Sequence, residues 1–186
     1  MSERQGPILV MGVSGAGKST IARGLADRLG GAYVDADDLH PEENVATMAR
    51  GEPLTDALRW GWLDLVAKAM AETEPFAVVA CSALKRAYRD RLRAHLGPFP
   101  IIYLDGDRAL LRDRMSDREG HYMPVSLLDS QFEALEPPTP EEGAICVSVT
   151  PPPEQVLETA LTQLSSRLQG GPDGSGQADH TPRRTS

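Results

Sequence analysis

Near the amino terminus, Gly12-Val13-Ser14-Gly15-Ala16-Gly17-Lys18-Ser19, followed by Thr20, leaves the chain little conformational choice. The spacing is G-x-x-x-x-G-K-[ST]. Glycines at these positions let the backbone curl so that successive N–H groups converge on one point. A helix opening at Lys18 adds its positive end to that point, making a site for phosphate oxygens. Lys18 reaches the outer phosphates as a point charge, and the Ser19 hydroxyl is of the type that joins a Mg²⁺ shell. The context agrees, because the apolar run Ile8 to Gly12 precedes the loop and Ile21, Leu25 and Leu29 follow at helical spacing.

Strand-like and helix-like segments alternate from there onward. Ala32–Val34, Phe76–Cys81, Pro100–Leu104 and Ile145–Val149 read as further strands. Pro41–Arg50, Asp56–Glu72, Leu84–Leu96, Asp107–Asp117, Pro124–Leu135 and Pro153–Leu168 read as helices. Five strands without clean polar alternation, separated by helices, predict an α/β three-layer fold. A five-stranded parallel sheet would be covered on both faces, with a small helical lid. One domain is expected over residues 1–168, with the lid near 112–124. The stretch 169–186, rich in Gly, Pro, Ser and Asp, is expected to be a disordered tail.

In such a sheet ligands gather beyond the carboxyl ends of the strands. Asp35-Ala36-Asp37-Asp38-Leu39-His40 follows the second strand and so faces the crevice that holds the glycine loop. In an extended segment Asp35 and Asp37 point the same way. Transfer of a phosphoryl group to an alcohol needs a carboxylate that takes the hydroxyl proton and another that holds hydrated Mg²⁺. Asp37 is the better candidate for the hydroxyl and Asp35 for the metal, although the order is reversible. The plainer alternative is that Asp37 or Asp38 caps the helix begun near Pro41. His40 either lines the pocket or is a hydrogen-bonded structural residue.

Arg59, Lys85, Arg114 and Arg118 are the cations expected near anions. Lys85 sits at a helix start, where a cation opposes the helix dipole, and this local cost favours a functional role. Arg89 and Arg93 share its face and read as a solvated stripe. Arg114 and Arg118 precede a turn-flanked segment and read as lid arginines that close over the phosphates and exclude water. A salt-bridged surface helix is the alternative, given Asp113, Asp117 and Glu119. Of Trp60 and Trp62, at least one should be core.

Nineteen Lys and Arg against 27 Asp and Glu give a net charge of −8, which opposes broad nucleic-acid or anionic-membrane binding. No apolar run is long enough to span a bilayer. Cys81 and Cys146 lie in apolar runs and read as buried thiols of a reducing compartment, so a cytoplasmic location is expected. The residues alone thus describe a Mg²⁺- and NTP-dependent phosphotransferase with a compact, anionic acceptor.

The sequence resembles the gluconokinase family, relatives of shikimate kinase among the P-loop kinases. The resemblance is carried by MGVSGAGKST (11–20), VDADDLHPEENVATMARGEPLTD (34–56), CSALKRAYRDRLR (81–93), IYLDGD (102–107) and REGHYMPVSLLDSQFEALEPP (118–138). It implies transfer of phosphate from ATP to O6 of D-gluconate, a five-stranded parallel sheet and a homodimer. By analogy Asp37, His40, Arg59, Lys85 and His121 line the gluconate side, with Arg114 and Arg118 in the lid. Two positions depart from the family pattern x-D-x-D-R-x-P-W-L: Leu58 stands where an acid is expected and Gly61 where a proline is. Leu58 removes a hydrogen-bond acceptor from a place where a polyol has donors, which bears on acceptor specificity and not on the kinase chemistry. The alternatives are a P-loop kinase of another small hydroxy acid (shikimate or another aldonic acid) and a nucleotide-binding module without turnover.

Overall fold

The computed structural model describes residues 6–116 and 125–169. Arg118, His121 and most of the expected lid lie outside these residues, as does the tail from Gly170. Five strands form one sheet: β1 (Ile8–Met11), β2 (Ala32–Asp35), β3 (Ala77–Ala80), β4 (Ile101–Asp105) and β5 (Ala144–Ser148). Their order is β2-β3-β1-β4-β5 and every pairing is parallel. Val10 at the centre lies opposite Ala80 on one side and Ile102 on the other.

The helices cover both faces. Successive strand residues point to opposite sides, so Ile8 and Val10 meet one helical layer and Leu9 and Met11 the other. The first layer is α1 (Lys18–Leu29) and α7 (Pro153–Gln169), which bring Ile21, Leu25, Val156 and Leu164 against Val78 and Ile102. The second is α3 (Asp56–Glu72) and α4 (Arg86–Leu96), which bring Leu63, Val66 and Leu92 against Val79 and Ile101. The remaining helices are α2 (Glu42–Ala49), α5 (Arg108–Ser116) and α6 (Val125–Ala134).

The fold is the expected three-layer α/β architecture, and three local expectations need correction. Strand β5 does alternate: Ile145 and Val147 are buried while Cys146 and Ser148 are exposed. An edge strand is covered less completely than the buried centre, and Cys146 is therefore an exposed thiol, not a core one. Asp35 and Asp37 do not share an extended segment, because Ala36–Leu39 winds into a 3-10 turn capped by the Asp35 side chain. Neither Asp37 nor Asp38 caps α2, whose N-cap is Pro41 with no side-chain bond.

The third correction concerns Arg89, which is fully buried rather than part of a solvated stripe. Its Nε and Nη2 donate to the two carboxylate oxygens of Glu142 at 2.7 and 2.9 Å. Nη1 donates to the carbonyls of Ala83 and Leu84, and Nη2 also to that of Glu136. A guanidinium carries its donors in a fixed fork, and here every nitrogen finds an acceptor, so burial is tolerated. Arg93 donates to the Glu142 carboxylate and carbonyl at 3.1 and 2.7 Å. The cluster clamps the turn after β3, where Ala83 holds a left-handed φ of 43°, against the segment preceding β5.

Candidate active site

The glycine loop leaves β1 at the carboxyl edge of the sheet. Gly12 has φ 153°, and a Cβ there would lie 2.9 Å from the Leu104 carbonyl of β4. Gly15 has φ 81° and would bring a Cβ to 3.0 Å from Met115 of α5. A side chain at Gly12 would collide with the β4 backbone, one at Gly15 would crowd Met115, and both φ values strain an L-residue. Val13 and Ala16 turn into the core, Gly17 takes the left-handed N-cap of α1, and Thr20 lies exposed on its first turn. Lys18 Nζ donates to the Val13 carbonyl at 3.1 Å. Gln131 of α6 clips the loop from above: its Oε1 accepts from Ser14 N–H at 2.7 Å and its Nε2 donates to Ser14 Oγ at 2.9 Å.

The acidic turn follows β2. Asp35 Oδ1 accepts from Asp37 N–H at 3.1 Å and Oδ2 from the Tyr33 hydroxyl at 2.9 Å. Burial raises the Tyr33 hydroxyl pKa, and a hydrogen bond with the Ser19 side chain acts in the opposite sense. Asp37 is open to solvent at its tip, with a side chain 77% exposed. Partial desolvation by the surrounding walls, followed by the Asp35 charge, still holds its carboxyl above the usual range, with Lys18 and His40 pulling the other way. The lysine of the glycine loop and the acid of the second strand therefore act on one another. Cys81, at the end of β3, is pushed up to about 12 by burial and by the Asp37 charge, which keeps it an inert thiol.

Beyond Asp37, His40 gathers at Trp62, and two of the sequence-derived cations, Arg59 and Lys85, gather at Tyr88. The His40 ring stacks on Trp62 with centroids 4.3 Å apart and planes 14° from parallel, and Trp62 Nε1 donates to the Ala36 carbonyl at 2.7 Å. Burial lowers the His40 pKa; Asp37 acts against that and Arg59 with it. The Arg59 guanidinium lies 5.6 Å from the Tyr88 ring centroid, as does the Lys85 ammonium. Lys85 Nζ reaches both Asp56 oxygens at 3.1 Å, and the Tyr88 hydroxyl donates to Asp56 as well. These bonds from Tyr88 and then Lys85 hold the Asp56 carboxyl below its ordinary range. Leu58 contributes its carbonyl, which accepts from Asn44. Trp60 is half-buried, edge-on to Tyr88 at 5.7 Å.

Arg114 donates to the Val149 carbonyl at 2.7 Å, just past the end of β5. Arg108 and Arg112 of the same helix both bond Asp129 of α6. Tyr33, Asn44, Tyr88 and Gln131 are the site residues that sequence reasoning missed. Each acts through a partner remote in sequence or on a neighbouring turn, and nothing in its local pattern marks it.

A glycine loop with its lysine, a capped acidic turn beside it and a group of cations beyond define a P-loop kinase. Residues 8–138 match the family model described as an AAA domain. The gluconokinase of Gluconobacter oxydans is 47% identical over 162 residues, covering 86% of this chain and 91% of that protein. The crystal structure of a gluconokinase from Sinorhizobium meliloti superposes with a TM-score of 0.81 at 43% identity, over 88% of this chain and 93% of that one. Shikimate kinase of Aquifex aeolicus, at 16% identity and a TM-score of 0.56 over 89% of this chain and 99% of that one, shares the fold. The chain belongs to the gluconokinase family.

Proposed function

We propose that this kinase transfers the γ-phosphoryl group of ATP to O6 of D-gluconate, giving 6-phospho-D-gluconate and ADP. One observation carries the mechanism: the glycine loop with Lys18 and the acidic turn with Asp37 leave β1 and β2 at the same carboxyl edge of the parallel sheet, which would bring phosphate and hydroxyl together there. The glycine loop over residues 12–20, through those of its amides not already bonded within the protein, and Lys18 hold the phosphates. Asp37 takes the proton of the O6 hydroxyl as the O6–P bond forms and the bond to the β,γ-bridging oxygen breaks. Its raised pKa makes it a better proton acceptor than an ordinary carboxylate. Arg59 and Lys85 neutralise the carboxylate of gluconate, while Asp56 and Tyr88 hold Lys85 in place and His40 borders the chain of hydroxyls. Arg114, and Arg118 and His121 from the segment outside the described residues, complete the site in this reading.

Among the described residues no group of three or more His, Cys, Asp and Glu could hold a metal alone. Mg²⁺ in kinases needs only one or two protein oxygens besides phosphates and water. Ser19 and Asp35, both hard oxygen donors, fit that requirement and would hold it. When bound, the ion supplies neutralisation of charge between the phosphates. No described helix is long and apolar enough to cross a membrane; cytoplasmic residence, a homodimer and a single kinase domain over residues 1–168 belong to the same proposal.

The test is a panel of aldonic acids and shikimate with coupled detection of ADP. Gluconate should give the highest kcat/KM. An inert gluconate beside a rapidly consumed second acid overturns the substrate assignment, and tight ATP binding without turnover on any acid overturns the kinase reading.

A further inference from the structure

Asn44 is a polar side chain 2% exposed, on α2 and outside the set of residues assigned to phosphates, metal or acceptor. Its Nδ2 lies 3.1 Å from the Leu58 carbonyl and 3.2 Å from His40 Nδ1. A carbonyl oxygen only accepts, so the group facing Leu58 must be the NH₂ and not the amide oxygen. This removes the usual ambiguity of an asparagine flip. The NH₂ has two hydrogens for two neighbours, and His40 Nδ1 must therefore offer a lone pair. A neutral imidazole with a bare Nδ1 carries its proton on Nε2. Nε2 is the atom that faces Asp37, at 3.9 Å from Oδ1. That separation is too long for a direct hydrogen bond, and it lets one oxygen atom contact both groups.

We propose that Asn44 is a positioning residue that locks His40 in the Nε2–H tautomer, so that a substrate hydroxyl donating to Asp37 accepts from His40 at the same time. The Trp62 stack fixes the plane of the ring and Asn44 fixes its polarity. A hydroxyl held by both groups has its hydrogen on the carboxylate and one lone pair on the imidazole, which leaves the other lone pair free for phosphorus. The groups facing the ring are Asp37 from the acidic turn, Arg59 and Trp62 from α3 and Asn44 from α2; burial above all opposes an imidazolium there, Asp37 favours one and Arg59 opposes it, and the balance lies with the neutral ring. Only the identity of the hydroxyl rests on the function proposed above.

The tautomer is read directly from long-range ¹H–¹⁵N correlations of the ring nitrogens in the full chain near neutral pH, with His40 assigned by its loss in His40→Gln. The expected pattern is a bare Nδ1 and a protonated Nε2; the opposite tautomer or an imidazolium overturns the proposal. In Asn44→Asp the incoming carboxylate should draw a proton to Nδ1, and an unchanged His40 signal in that variant, if it folds, also counts against it. Kinetics give a second readout. His40→Phe keeps a stacking ring without a donor and should raise the acceptor KM or lower kcat by about tenfold, with KM for ATP unchanged. His40→Gln, which keeps an N–H near the Nε2 position, should recover most of that loss. Equal losses in the two variants would rule out a donor at Nε2. The nitrogen shifts need no substrate, so they stand or fall separately from gluconate turnover.

Discussion

Asp37 combines two properties rarely found on one carboxylate. It is open enough to receive a hydroxyl, yet its surroundings and Asp35 make it harder to ionise than a free aspartate. A general base works only when deprotonated, so kcat/KM should fall as pH drops through a value above the ordinary ~3.9 of aspartate. A pH–rate profile checks this, and an acid limb at or below that value contradicts it. Asp37→Asn keeps the shape and removes the basicity; kcat should fall by about 10²–10⁴ with KM for ATP little changed. The phosphate loop was legible in the sequence because its spacing imposes its geometry, and so was the position of Asp35 and Asp37 just after β2; the 3-10 turn that sets their directions was not. Nor was the burial of Arg89. Arginines at helical spacing look the same whether they face water or a single carboxylate, and Glu142 lies 53 residues further on.

Elements that are long or continuously apolar were read correctly to within a few residues, since period and length identify them. The 3-10 turns at Ala36–Leu39 and Pro140–Glu142 are too short to carry a period, and both matter. The first aims Asp37 and the second brings Glu142 to Arg89. Hydrogen bonds from Arg89 above all hold the Glu142 carboxyl down at about 2, with its side chain 2% exposed. A depressed carboxylate stabilises the fold fully above its unfolded pKa, near 4.5, and loses that contribution as pH falls toward 2. Thermal melts should therefore drop steeply across that window. Glu142→Ala should flatten this dependence and lower stability at neutral pH by about 3–5 kcal/mol, because a buried guanidinium is left unpaired. Between α6 and the glycine loop, the Gln131 clip fastens Ser14 and so fixes the curve of the loop proposed to hold the phosphates. Gln131→Ala should raise KM for ATP several-fold and leave the acceptor KM unchanged; initial-rate kinetics with each substrate varied distinguish this from a loss shared by both.

For the molecule as a whole, the parallel sheet gathers the turns after β1, β2 and β3 at one edge, and in the proposed mechanism their side chains divide the work into phosphate binding, proton acceptance and recognition of an anion. A net charge of −8 does not oppose this proposal, because the loop amides, Lys18, Arg59 and Lys85 concentrate positive character at that edge. In this mechanism the glycine loop and the acidic turn act together on one phosphoryl group. ³¹P NMR of a reaction of ATP with gluconate, run in parallel for the native chain and Lys18→Ala, measures this most directly. The native enzyme should release one equivalent of 6-phosphogluconate per ATP consumed, and the variant should be slower by orders of magnitude with an unchanged fold. Near-native turnover by Lys18→Ala, or phosphate appearing only as the free ion, would contradict it.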